Sequence, residues 1–339
     1  MEMASFKWIV DTHCDVLYAM DRQGRHLTDE NRGGHADLAR LKRSGMRLEF
    51  FSGFLEPEYK PERALVRQLE IIDRFWQEVG LRSEFFRVVR CREDVEALET
   101  DPRIGALLSL EGAEAVRDLP VLRNLFRLGV RAIGLTWNER NHLADGVGVG
   151  AGGGGLTPLG VEVAAECERL GILLDVSHLN PRGFWHLAEV TRKPFIASHS
   201  DAKAVHDHRR NLDDEQIRAL AERRGVMGLN FAPGFLTDGE ASIDDVLRHA
   251  DHVLSLVGDD VLGIGSDFDG IESVPRGLED VTRLPDLAEA MLRHGYGENT
   301  VRKIMGENNR RVLLEVLGTG LAEPPVGLVV AGAARESGA

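Results

Sequence analysis

Eight short apolar runs, separated by longer amphipathic segments, constrain this chain more than any other feature. They cover Trp8–Val16, Met46–Phe54, Ile104–Glu111, Val130–Trp137, Gly171–His178, Pro194–His199, Gly225–Phe231 and Val261–Asp267. The runs are apolar almost throughout rather than alternating, as strands buried on both faces of a parallel sheet are. Between them the spacing predicts helices over Glu62–Val79, Val121–Leu128, Leu159–Leu170, Asp214–Arg223 and Asp245–Val257, with two more over Pro285–His294 and Asn299–Leu317. Alternating strand and helix signals a parallel α/β fold. Eight strands fit a (β/α)8 TIM barrel with its functional site at the C-terminal strand ends; a doubly wound open sheet is the alternative. The element boundaries carry matching signals. Thr157-Pro158 places an N-cap before a proline at the first helical position, Ser242 and Asp245 resemble a capping box, and Gly129, Gly171 and Gly225 stand where helices end and strands begin.

The expected organisation is a single barrel domain over residues 1–320 and a loosely ordered tail over residues 321–339, which is small and proline-containing. A net charge of −14 argues against a nucleic-acid partner or an anionic membrane surface. No apolar stretch is long enough to span a bilayer, and the N-terminus lacks the basic and apolar regions of a secretory leader. Cys14, Cys91 and Cys167 form no CxxC pair, which suits a reducing, cytoplasmic compartment without structural disulfides.

The polar residues at the strand ends carry the chemistry. The first run ends in His13-Cys14-Asp15, the third in Glu111, the fifth in Asp175-Val176-Ser177-His178, the sixth in Ser198-His199-Ser200 and the eighth in Ser266-Asp267-Phe268-Asp269. Side chains alternate along a strand, so His13 and Asp15 are expected on one face and Cys14 on the other. A single buried histidine is most often a packing residue, and a lone His-x-Asp is a weak signal. Five ligand-type residues on four strand ends of one polarity outweigh that reading. Three imidazoles and two carboxylates can hold two Zn²⁺ ions if one carboxylate bridges them. Asp175 and Ser177 read as supporting residues. His26, His35, His186, His249, His252 and His294 fall in loops or helices and read as surface or packing residues. The run Gly148-Val149-Gly150-Ala151-Gly152-Gly153 imitates a dinucleotide fingerprint, but no strand directly precedes it. Gly146–Gly155 is expected instead to be a flexible loop over the site. There is no GxSxG nucleophile motif.

Taken together, the stretches DTHCD (11–15), HADLARLKRSG (35–45), SLEGAEAV (109–116), LGVRAIGLTWN (128–138), RLGILLDVSHL (169–179), ASHSDAKAV (197–205), RRNLDDE (209–215), GIGSDFDG (263–270) and ENNRRVL (307–313) resemble the renal (membrane) dipeptidases. These are zinc peptidases on metal-dependent-hydrolase barrels, and the resemblance runs from about Val10 to about Val316. It implies a dipeptide substrate, with L-D dipeptides among those accepted, two Zn²⁺ ions per chain and an isologous homodimer. His13 and Asp15 correspond to the ligands of one zinc, His178 and His199 to those of the other, and Glu111 to the bridging carboxylate. Asp267 corresponds to the acid that takes a proton from the bridging water and delivers it to the leaving amine. Arg210 corresponds to the arginine that holds the substrate carboxylate. In one place the chain departs from the pattern: family members carry a substrate-contacting histidine after the fourth strand, and here that residue is Trp137. An indole N–H can donate one hydrogen bond but carries no charge. His142, five residues later, is a candidate substitute. The departure keeps a second reading open, a hydrolase of a different amide, lactam or lactone on the same barrel; a catalytically silent metal- or peptide-binding homologue is a third, against which the presence of all five ligand-type residues and Asp267 argues.

Overall fold

A computed structural model describes residues 6–30 and 32–319 of the chain. All of its strands are parallel and belong to one sheet: β1 (Val10–Cys14), β2 (Leu48–Phe54), β3 (Phe86–Val88), β4 (Ile104–Glu111), β5 (Val130–Gly134), β6 (Leu173–Asp175), β7 (Ile196–Ala197), β8 (Val226–Leu229) and β9 (Leu262–Ile264). The order β2-β1-β9-β8-β7-β6-β5-β4 closes on itself because β2 also pairs with β4, from Leu48 opposite Gly105 to Phe54 opposite Glu111. The result is a closed eight-stranded parallel barrel wrapped in helices, the TIM-barrel architecture. The eight closing strands overlap the eight apolar runs. β3 is an extra strand, seated beside the first residues of β4 before β5 takes over that edge.

The observed strands are shorter than the apolar runs because their last residues turn away to build the site. Asp175 ends β6 by accepting the Ser177 and Ser198 backbone N–H groups at 3.0 and 2.8 Å, in place of a ladder bond. At the end of β1, Asp15 leaves the strand (φ −90°, ψ 29°) and starts the helix Val16–Gln23. Strand alternation therefore does not bring His13 and Asp15 together; the turn into the helix does.

Several helix signals act as read. Thr157 caps Pro158–Leu170 by accepting Gly160 N–H at 3.0 Å, and Ser242 N–H donates to Asp245 at 2.7 Å at the start of Ile243–Val257. Gly225 serves differently. The left-handed turn falls on Arg224 (φ 56°), and a Cβ on Gly225 would lie 2.2 Å from the Phe195 carbonyl oxygen. The helix Pro181–Val190 lies outside the expected set; Asn180 caps it by accepting Gly183 N–H at 2.7 Å, and Pro181 opens it. The expected long helix over 299–317 divides into Glu298–Arg302, a wide π turn Lys303–Glu307, and Asn308–Val316. That widening lets Gly306 approach β1, where a Cβ would meet Val10 at 2.8 Å. The expected tail over residues 321–339 lies outside the described residues.

Candidate metal centre

The C-terminal ends of β1, β4, β6 and β7 converge on one buried group of ligand-type side chains. His13, Asp15 and Glu111 form one set whose donor atoms lie within 4.8 Å of one another, Glu111, His178 and His199 form a second, and His13, His199 and Asp267 form a third. Glu111 belongs to the first two. Its Oε2 lies 3.6 Å from His13 Nε2, and its Oε1 lies 2.8 Å from His178 Nε2 and 3.7 Å from His199 Nε2. His13 Nε2 is 3.2 Å from Asp15 Oδ2 and 4.0 Å from Asp267 Oδ1.

The partners of the histidines fix which nitrogen is free. Ser198 Oγ lies 2.6 Å from Asp175 Oδ2 and 2.7 Å from His199 Nδ1. An ionised carboxylate only accepts, so the hydroxyl donates to Asp175 and accepts from His199 Nδ1–H. His178 Nδ1 is likewise bonded to Asn138 Oδ1 at 3.0 Å. Both imidazoles then turn unprotonated Nε2 lone pairs towards each other across 3.0 Å. Two lone pairs at that distance repel unless a cation lies against them. Asp15 Oδ1 is also buried without a hydrogen-bond partner. This donor set fits a metal ion.

Burial opposes charge throughout the group, and the neighbours decide the direction. Burial works against a charged His13, but Asp15 and Glu111 beside it raise its pKa well above the usual value. Burial would raise Glu111 too, yet His13 and His178 hold it well below the ordinary carboxylate range. Burial and Arg210 push His178 down to about 4. Burial, with Asp15 and Glu111 nearby, pushes Asp267 up to about 7 although His13 opposes the shift.

These residues open into a cavity of about 290 Å³. Asp15, Glu111, His178 and Asp267 line its floor, Arg210 and Phe235 one side, and Tyr18, Phe54 and Trp137 another. Arg210 is buried, and its Nη1 and Nη2 donate to the Ser177 and His199 carbonyls, both at 3.0 Å.

The chain matches the model for the membrane dipeptidase family (peptidase family M19) over residues 2–321. It belongs to the membrane dipeptidase family. An uncharacterized dipeptidase of Schizosaccharomyces pombe is 34% identical over 336 residues, covering 92% of this chain and 81% of that relative. A dipeptidase of Claviceps purpurea is 33% identical over 320 residues, covering 89% of this chain and 74% of its own. Among solved structures, a metallopeptidase from Rhodobacter sphaeroides bound to a phosphinate mimic of the dipeptide L-Ala-D-Ala superposes with a TM-score of 0.83 at 33% identity, covering 91% of this chain and 99% of that one. A second metallopeptidase, described as dipeptidase AC, gives 0.85 at 34% identity, with 92% and 99% covered.

In this membrane dipeptidase, His142 stands apart from the other sequence-nominated residues. It does not line the metal cavity. Its Nε2 bonds to the Val116 carbonyl at 2.5 Å, and it borders a separate cavity with Lys60, Glu114 and Arg140. Gly146–Gly155 also differs from expectation: it is fastened rather than draped over the site. Val147 N–H donates to the His178 carbonyl at 2.9 Å and Gly148 N–H to Asn138 at 2.8 Å. A Cβ on Gly146 would lie 2.0 Å from the Trp137 carbonyl oxygen, so these glycines serve close packing.

The supporting residues were the least legible part. Asn230 Nδ2 donates to Asp267 Oδ2 at 3.0 Å. Asp267 and Asp269 both adopt left-handed backbone (φ 64° and 67°), a costly conformation for residues other than glycine. That turn is pinned by Ser266 N–H on Asp11 at 2.9 Å, Arg25 on Asp269 at 3.0 Å, and Asp269 N–H on His35 Nδ1 at 2.9 Å. A Cβ on Gly270 would lie 2.2 Å from Asp15 Oδ2. The only sequence signal for this network was the density of Asp, Ser and Gly in GIGSDFDG.

Proposed function

We propose that this protein is a two-zinc dipeptidase that hydrolyses the peptide bond of dipeptides, L-D dipeptides among them. Its role as a metal-dependent dipeptidase follows from its family. The observation that carries the finer reading is the pair of ligand sets sharing Glu111. His13 and Asp15 would hold one ion, His178 and His199 the other, and Glu111 would bridge them. Imidazole and carboxylate donors suit zinc. Bound there, the ions supply Lewis acidity, polarising the peptide carbonyl and lowering the pKa of water.

The protein's own groups bind the substrate and move the protons. Arg210 is held rigidly by two backbone carbonyls, and its Nε has no partner. Each Nη carries a second N–H, so the guanidinium retains donors for a substrate carboxylate. Asp267 borders the cavity, stands 4.0 Å from His13 Nε2 and is held by Asn230 Nδ2, so its carboxyl is placed to accept and return a proton beside the ligand cluster. Asp267 would take the proton of the attacking water and deliver it to the departing amine. The cavity of about 290 Å³ is at the small end of ligand sites, which suits a dipeptide over a longer chain.

The three thiols are free, which supports a reducing compartment such as the cytoplasm, and among the described residues no helix is long and apolar enough to cross a membrane. We assign an isologous homodimer on family grounds, testable by sedimentation.

Trp137 favours one other reading, a different amide, lactam or lactone as substrate. Hydrolysis of a panel of L-L and L-D dipeptides by zinc-loaded protein, with metal content measured on the same sample, separates the two. Cleavage with two zinc ions per chain supports the dipeptidase. Two zinc ions without cleavage of any dipeptide would move the activity to another amide or ester.

A further inference from the structure

The strand order of the barrel sorts the cavity lining into two arcs. Around the rim, β1, β2, β4 and β5 are contiguous, and β7, β8 and β9 lie opposite. The first arc contributes three aromatic side chains: Tyr18 from the helix after β1, Phe54 from the end of β2, and Trp137 after β5. The opposite arc contributes Arg209 and Arg210 from the loop after β7. The cluster of three contiguous rings stands on the first arc; the two arginines stand on the opposite one, with Phe235 and Ile271 beside them, and the metal-ligand cluster lies at the floor.

The three rings form one surface. Tyr18 and Phe54 meet edge to face at 5.3 Å, and Phe54 and Trp137 at 5.2 Å. Trp137 also lies 6.0 Å from the ring of His178, which places the surface beside the reacting centre. All three rings are only partly buried although they border a cavity. Partly exposed aromatic surface in a concave site is the surface an apolar ligand group covers.

Lys60 fixes this surface from behind. Its Nζ lies 4.9 Å from the Trp137 ring centre and 5.6 Å from that of Phe54. Glu114 at 3.4 Å and Glu139 at 3.1 Å compensate its charge on the far side. The ammonium thus lies against the rings from the neighbouring cavity, which Lys60 borders with Glu114 and Glu139, and does not line the metal cavity itself.

We propose that Tyr18, Phe54 and Trp137 form an apolar side-chain subsite that makes this enzyme prefer dipeptides with a large apolar or aromatic N-terminal residue. The inference rests on the dipeptidase reading. In a dipeptide the free carboxylate belongs to the C-terminal residue. With that carboxylate at Arg210 and the scissile bond at the metal-ligand cluster, the N-terminal side chain points to the opposite arc. Trp137 is then a specificity-determining residue and Lys60 a positioning residue.

The test compares kcat/KM of zinc-loaded protein on Phe-Ala, Leu-Ala, Ala-Ala and Gly-Ala, each with L- and D-Ala. The expected preference for Phe-Ala over Gly-Ala is about 10- to 100-fold, the discrimination an apolar pocket typically provides. Trp137→Ala should lower that ratio about tenfold, and Trp137→Phe should keep it within about threefold, because a ring remains in the surface. A phosphinate dipeptide mimic with an N-terminal Phe side chain should inhibit more tightly than the Gly analogue in the wild type, and equally in Trp137→Ala. Hydrolysis with no preference among the N-terminal residues, or an unchanged ratio in Trp137→Ala, overturns the subsite alone. No hydrolysis of any dipeptide overturns the dipeptidase reading and this inference with it.

Discussion

Near the floor of the barrel, Val10, Leu48, Phe50, Leu107 and Val226 fill the interior with apolar, almost fully buried side chains. A few residues further along the same strands, His13 and Glu111 occupy the rim with charge, and Thr12, Ser109 and Ser198 lie between as a layer of hydroxyls around a small void. Thr12 Oγ1 shares its one proton between the Ser198 and Ile264 carbonyls, at 2.6 and 2.9 Å, tying this middle layer across the barrel. The floor is stabilised by apolar area removed from water. The rim is not: its carboxylates and imidazoles are buried against a desolvation cost, which each other's charge, the hydrogen bonds from Ser198, Asn138 and Asn230, and a cation in the site would offset. One barrel therefore has a stability end and a chemistry end, and each fails differently when mutated.

The largest effect should come from Glu111, the one carboxylate shared between two of the ligand sets and the proposed bridge. Glu111→Gln removes the shared charge. Dialysed protein should lose metal, and kcat/KM should fall by several kcal/mol, about 10³-fold. Retained two-metal stoichiometry with wild-type turnover would contradict its bridging role. Asp267→Asn should lower kcat by about 10²- to 10⁴-fold while metal content stays intact, as read by kinetics and elemental analysis together. A variant that loses both would make Asp267 a ligand rather than a proton carrier. At the floor, Phe50→Ala should reduce stability by about 3–5 kcal/mol in denaturant unfolding and leave turnover per folded molecule unchanged. A fall in turnover without a fall in stability would dissolve the contrast between the two ends.

The contrast also explains what was legible in the sequence. The floor gives each strand a continuous apolar run, so eight strands could be read directly; closure followed from their number alone, and it is the β2–β4 pairing that shows it. The candidate ligands stand out because they are ionisable residues at the ends of those runs. Strand limits at the rim could not, because Asp15 and Asp175 end β1 and β6 through turns and side-chain bonds that no hydropathy pattern records. Nor could the supports. Asn138, Asn230 and Arg25 act on the site across the fold, Arg25 reaching Asp269 over 244 positions. His142 is close to Trp137 in sequence but borders a different cavity, its Nε2 bonded to the Val116 carbonyl, which no local pattern records.

A buried histidine away from both ends gives a smaller effect. His249 is fully buried on the helix Ile243–Val257; its Nδ1 accepts Ala202 N–H at 3.1 Å and its Nε2 donates to the Leu236 carbonyl at 3.2 Å. Burial, with Arg248 and His206 nearby, pushes its pKa from 6.5 down to about 4. The unfolded chain therefore binds a proton that the folded chain refuses between those values. Stability is fully present above pH 6.5 and falls as pH drops towards 4, by about 3 kcal/mol in all. Denaturant midpoints of wild type and His249→Gln across this range should converge at low pH. Parallel curves would remove His249 from the acid response.

The smallest predicted effect tests the layer between floor and rim. Ser198 Oγ donates to Asp175 and accepts from His199 Nδ1, so one hydroxyl sets the tautomer of a candidate ligand. Ser198→Ala leaves Asp175 its two backbone donors, from Ser177 and Ser198, so the fold should hold. His199 Nδ1 loses its acceptor, and the ring is freed to protonate Nε2, the nitrogen turned to the metal. Affinity for zinc should weaken about 10- to 100-fold, read by competition with a chelator, and Ser198→Thr should restore it. The apparent melting temperature in excess zinc should barely move. Unchanged zinc affinity in Ser198→Ala would mean that the rim orders itself without the hydroxyl layer. A large loss of melting temperature would assign that layer to the stability end of the barrel.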